Sequence, residues 1–167
     1  MKKLAAVLKQ KLENAGKVAV LGVGSELRGD DVAGIIAAQQ IKKISSKKKL
    51  LLPIKVFIGS TAPENLTGEI KKFKPSHLII IDSADMNVPP GQVSIITPDE
   101  IGGTSFCTHS LPLNVIIDYL QQSCRNLKVI TIGIQPKNLS VGRPISKEVD
   151  SAAQELAVII INLFKKN

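Results

Sequence analysis

Three mainly apolar segments, each tied to a helical pattern, limit what this chain can fold into. They are residues 18–21 (VAVL), 77–81 (HLIII) and 127–134 (LKVITIGI). Apolar runs this short, without clean polar alternation, suit strands buried on both faces of a sheet. Between and after them lie stretches with helical spacing. Val32, Ile36, Ile41 and Ile44 predict a helix from about Asp31 to Ile44. Pro63-Glu64 opens a helix running to about Lys72, and Leu113, Ile116, Ile117 and Leu120 mark another. Val149, Ala152, Ala153, Leu156, Ile160 and Leu163 share one face of a last helix over residues 146–164. An N-terminal amphipathic helix carries Leu4, Leu8, Leu12 and Ala15 and is expected to end at Gly16. Residues 50–58 form a further strand whose Pro53 points to a sheet edge, and residues 92–96 an extra strand. Strands alternating with helices predict an α/β fold, three layers in α/β/α order, with a twisted, mostly parallel sheet. The chain has 167 residues, no internal repeat and no linker, so one domain over residues 1–167 is expected.

Composition narrows the function classes. Aromatic residues make up only 3% of the chain, so Ile, Val, Leu and Ala must fill the core. The formal net charge is +8, carried by short Lys runs such as Lys47 to Lys49 that fall at element ends or on polar faces. With few aromatics among them, these runs read as solvated surface, and no nucleic-acid partner is expected. Cys107 and Cys124 form no C-x-x-C pair, which suits a reducing compartment. Lys9 interrupts the first apolar stretch before it reaches signal-peptide length, and no run approaches membrane length. A cytoplasmic protein with no membrane partner is expected.

Chemistry concentrates in residues 18–34, VAVLGVGSELRGDDVAG. Gly22 and Gly24 allow a sharp turn after the first strand. The third glycine of a dinucleotide fingerprint is absent, and no Gly-Lys-Ser/Thr follows. Glu26, Asp30 and Asp31 outweigh the single Arg28, so the turn favours cations over phosphate. The residues alone leave two readings open. Asp30 can cap the following helix and Asp31 complement its dipole, or the two can serve a site.

In a parallel sheet the ends of successive strands share one rim, where ligands bind at the point of strand-order reversal. Asp31 follows the first strand, the turn Gly59-Ser60-Thr61 follows the second, and Asp82 ends the third. His109, in the helix entrance THSLP, adds an imidazole, with Asp85 as an outer partner, whereas His77 is expected to begin a buried strand on the opposite rim. Two carboxylates and one imidazole with open positions suit a borderline divalent metal such as nickel, zinc or manganese.

Read together, the motifs resemble those of the nickel–iron hydrogenase maturation endopeptidases, in the branch serving hydrogenases of the formate-hydrogenlyase (hydrogenase-3) type. The matching segments are LGVGSELRGDDVAG at 21–34, GSTAPENLTG at 59–68, HLIIIDSADMNVPPGQVSIITPDEI at 77–101, THSLPLNVIIDYL at 108–120 and IGIQP at 132–136. One departure is Gly24-Ser25, where the family commonly has Gly-Asn. The resemblance implies a peptidase, aspartic-type or metal-assisted, that removes a C-terminal extension from a hydrogenase large-subunit precursor after nickel insertion. It implies Asp31 and Asp82 as catalytic carboxylates, and Asp31, Asp82 and His109 as the residues that sense nickel. Gly24, Ser25, Gly59, Ser60 and Thr61 would line the substrate. The nickel would arrive with the precursor, so no tightly bound cofactor is expected, and the protein would act as a monomer. A nickel-binding checkpoint or delivery protein without cleavage is the alternative.

Overall fold

The computed structural model describes residues 1–97 and 112–166. The elements run α1 (Lys2–Lys11), β1 (Val18–Val23), α2 (Ala33–Ser45), β2 (Ile54–Ser60), α3 (Thr67–Phe73), β3 (His77–Ser83), β4 (Val93–Ile96), α4 (Leu113–Ser123), β5 (Lys128–Ile134) and α5 (Lys147–Leu163). Single 3-10 turns, Gly29–Val32 and Pro63–Leu66, lead into α2 and α3.

One five-stranded sheet has the order β2-β1-β3-β5-β4. β1, β2, β3 and β5 are parallel, and β4 closes the edge antiparallel to β5. Val18 is level with Ile54 on one side and His77 on the other. Strand order therefore reverses at β1, and the crevice between the ends of β1 and β3 is the switch point. The expected edge position of the strand after Pro53 holds, as does the extra strand near residue 93.

Strand periodicity divides the core. Val18 and Val20 share a face with Ile79, Ile81, Ile130, Ile132 and Ile134, under α1, α2 and α5. Ala19, Leu21 and Val23 face the other way with Leu78 and Ile80, under α3 and α4. All six residues of β1 and all seven of β3 are buried, as the apolar runs require. Removing each large aliphatic side chain from water contributes roughly 1.5–3 kcal/mol.

Two boundaries and one buried face differ from the sequence expectations. α1 ends at Lys11 rather than near Ala15, because Asn14 takes a left-handed conformation (φ 62°) and turns the chain early. The α-helical part of α2 begins at Ala33, since the preceding residues form the 3-10 turn. Its buried residues include Ala33, Gly34, Ala37, Ala38 and Ile41, while Val32 and Ile36 are only half-buried. Close approach explains the shift to small residues. A Cβ on Gly34 would lie 2.1 Å from the Ile81 carbonyl oxygen, and one on Gly22 would lie 2.5 Å from the Ala38 Cβ. Only glycine at these positions lets α2 sit directly over the β1–β3 crevice.

Candidate active site

Asp31 and Asp82 both reach the switch point. Asp82 is the penultimate residue of β3, and Asp31 lies in the 3-10 turn after β1; each is fully buried. Ser83 joins them. Its hydroxyl donates to Asp31 Oδ1 at 2.7 Å, and its backbone N–H donates to Asp82 Oδ1 at 2.8 Å. Asp31 also sits at the N-terminal side of α2, where the peptide dipoles favour negative charge. Two carboxylates drawn out of water at one rim favour a cation or strong donors between them.

The backbone of the first turn is set by Gly24. Its φ of 136° suits glycine, and a Cβ there would fall 1.8 Å from the Asp31 carbonyl oxygen. The Gly24 N–H donates to the Ser60 carbonyl at 3.1 Å, so the turns after β1 and β2 are tied together. Ser25 is buried; its N–H donates to the Asp31 carbonyl and its hydroxyl accepts from the Leu27 N–H. Gly59 is buried against Pro63, Ser60 is half-buried with φ 47°, and Thr61 is exposed. Thus Gly24, Ser25 and Gly59 shape the rim, while Ser60 and Thr61 reach outward from it.

The adjacent aspartates have separate fates. Asp30 does not cap α2, whose N-cap is Val32 without a side-chain bond. Its carboxylate turns away and gathers the loop before α5. Oδ2 accepts from the N–H groups of Lys137 (2.7 Å) and Asn138 (2.9 Å) and from the Ser146 hydroxyl (3.0 Å). Oδ1 accepts from the Ser146 N–H at 2.6 Å. Asp30 is fully buried and is the anchor of that loop. Beside it, the Lys137 ammonium lies 2.7 Å from Glu148 Oε1, and that hydrogen bond holds the Glu148 carboxyl below its usual pKa and raises that of Lys137.

Gln135, the buried residue directly after β5, was not singled out in the sequence. Its Oε1 accepts from the Met86 N–H, and its Nε2 donates to Asp85 Oδ1 at 3.1 Å. Asp85 is therefore exposed and engaged with Gln135 and the Asn87 N–H, not with the carboxylate pair as an outer partner. A polar residue closing an apolar strand on the same rim as Asp82 was the available clue. His77 begins β3 on the opposite rim and is buried. His109 and Cys107 lie outside the described residues. Among the described residues no three His, Cys, Asp or Glu side chains cluster as a metal site. A groove of about 730 Å³ opens between α1, β4 and α5, but it holds neither Asp31 nor Asp82. No helix among the described residues is long and apolar enough to cross a membrane.

Comparison with known proteins meets this geometry. The family model described as HycI, hydrogenase maturation protease, matches residues 33–163. A Methanocaldococcus jannaschii protein assigned as a hydrogenase maturation protease is 37% identical over 163 residues, covering 96% of this chain and 95% of that protein. The hydrogenase 3 maturation protease of Escherichia coli K12 is 32% identical over 136 residues, covering 81% of this chain and 83% of its own. Among solved structures, HycI from Thermococcus kodakarensis KOD1 superposes with a TM-score of 0.82 at 25% identity, covering 94% of this chain and 97% of that one. The solution structure of the E. coli endopeptidase HycI gives 0.72 at 33% identity over 85% of this chain and 87% of its own. On the match of sequence and fold together, the chain belongs to the hydrogenase maturation protease family, a family of peptide-bond hydrolases.

Proposed function

We propose that this chain removes the C-terminal extension of a nickel–iron hydrogenase large-subunit precursor, and that nickel already inserted in the precursor is its recognition element. The observation that carries the reading is the pair of fully buried carboxylates, Asp31 and Asp82, joined through Ser83 at the β1–β3 switch point. Such a pair holds too few ligands for a closed structural metal site and suits a cation delivered with its own ligands. His109 is the third group in this proposal. The likeness to hydrogenase 3 proteases supports a precursor of that type.

Peptide hydrolysis needs an activated water and stabilisation of the developing oxyanion. A carboxylate of the pair accepts a proton from water, and Ser83 holds Asp31 in place through its hydroxyl. Substrate-borne nickel supplies Lewis acidity and a fixed position for the scissile segment. Ser60 and Thr61, at the outward side of the rim, meet the substrate backbone. The metal leaves with the product, so the enzyme needs no resident cofactor.

The test is cleavage of a purified precursor, loaded or unloaded with nickel, followed by intact mass. Loss of the C-terminal extension only from the loaded form supports the reading. Cleavage of both forms alike removes nickel from recognition. Binding of the loaded form without cleavage would make the chain a checkpoint or delivery protein instead.

A further inference from the structure

Leu27 and Val141 are 73% and 75% exposed, more than any other exposed large hydrophobic side chain among the described residues. They lie on different loops that the fold joins. The Gly142 N–H donates to the Leu27 carbonyl at 2.9 Å, and Arg28 Nε donates to the Leu139 carbonyl at 3.4 Å. Asp30 holds the base of the second loop at Lys137, Asn138 and Ser146. Its own N–H donates to the Asn138 carbonyl, and Gly29 lies so close that a Cβ would fall 2.4 Å from that oxygen. The two loops are thus one preorganised platform, continuous with the turn that delivers Asp31. Neither side chain enters the core, so both stand in water on a fixed support. A rigid apolar pair beside a catalytic rim lowers the ordering cost of binding a partner.

Charge selects the occupant. The two loops carry Arg28 and Arg143 against Glu26, and at the start of α5 Lys147 stands with Asp150, while Lys137 and Glu148 satisfy each other. A second copy meeting this patch face to face would oppose like charges, on a chain that already carries +8. We propose that this platform docks an acidic segment of the precursor that bears a branched aliphatic side chain, beside the rim that holds Asp31 and Asp82. The inference rests on the proposed substrate.

The test compares wild type with Leu27→Ser/Val141→Ser and with Arg143→Glu, using the nickel-loaded cognate precursor. Affinity is also measured directly in an Asp82→Asn background, where cleavage does not intervene. The double variant is expected to raise KM and Kd by roughly tenfold or more, with kcat within about twofold and an unchanged melting temperature. Arg143→Glu should weaken binding and reduce its salt dependence, and Arg143→Lys should restore it. Leu51→Ser, 61% exposed near the N-terminal end of β2, serves as the control and should change nothing. Wild-type KM and Kd in the double variant would overturn the proposal. So would loss of a concentration-dependent dimer with precursor binding intact, which assigns the patch to a second copy. Precursor binding without cleavage by wild type overturns the protease reading alone, because the Kd ratio still decides the platform.

Discussion

Asp30 and Asp31 are sequence neighbours with opposite predicted responses to the same substitution. Asn replaces one carboxylate oxygen by an NH₂ group at nearly constant volume. At Asp30 every oxygen faces donors: three on Oδ2 and one on Oδ1. The better amide orientation keeps its carbonyl at the Oδ2 position and turns its NH₂ toward the Ser146 N–H. One bond is lost with a donor left facing a donor, at about 1–3 kcal/mol. Three others lose their charge assistance, which roughly halves each. Because the loop residues Lys137 and Asn138 are exposed and water can reach their N–H groups, the net loss is set at about 3 kcal/mol. For a chain of this size that lowers the melting temperature by roughly 6–12 °C. At Asp31 the amide carbonyl still accepts from Ser83, and repulsion from Asp82 is relieved, so Asp31→Asn should melt within about 2 °C of wild type or above it. Its processing activity should nevertheless be lost. The assay is calorimetry of both variants beside precursor cleavage at a temperature where each is folded. A stable Asp30→Asn, or an Asp31→Asn that melts as low as predicted for Asp30→Asn, would refute the division of roles.

Four further outcomes follow from the same geometry. Ser83→Ala removes the hydroxyl held by Asp31 and should lower kcat more than it raises KM, with Ser83→Thr restoring activity; a wild-type kcat would exclude Ser83 from positioning. Gly34→Ala places a methyl 2.1 Å from the Ile81 carbonyl and should destabilise by roughly 3 kcal/mol or more, read as a lower urea midpoint. Burial, aided by the nearby Lys128 charge and opposed by the Lys11 backbone, lowers the His77 pKa below 6.5. The unfolded chain then takes up this proton first as pH falls. The His77 contribution to stability is whole above about pH 6.5, declines below it, and levels once the folded imidazole protonates; His77→Gln should flatten that limb of a urea-midpoint profile. His109→Ala is expected to abolish cleavage of the nickel-loaded precursor, whereas His77→Ala should lower stability more than kcat.

The apolar runs at residues 18–21 and 77–81 determined their own state. Both are buried on two faces, so their composition alone specified central strands, and Pro53 specified an edge. Alternation of strand and helix specified parallel pairing, and therefore that Asp31 and Asp82 would end on one rim. The helix seam of α2 was harder to read, because its contacts are set by backbone proximity at Gly22 and Gly34 rather than by large side chains. Tertiary structure alone decided the partners of the two adjacent aspartates. In sequence Asp30 and Asp31 are equivalent acids before a helix. The partners of Asp30 at Lys137, Asn138 and Ser146 are 107, 108 and 116 residues away, while Asp31 meets Ser83 at a separation of 52. No local pattern encodes such pairings. They arise only when α5 and β3 are packed against the first turn, and successive side chains of that turn then point to different neighbours.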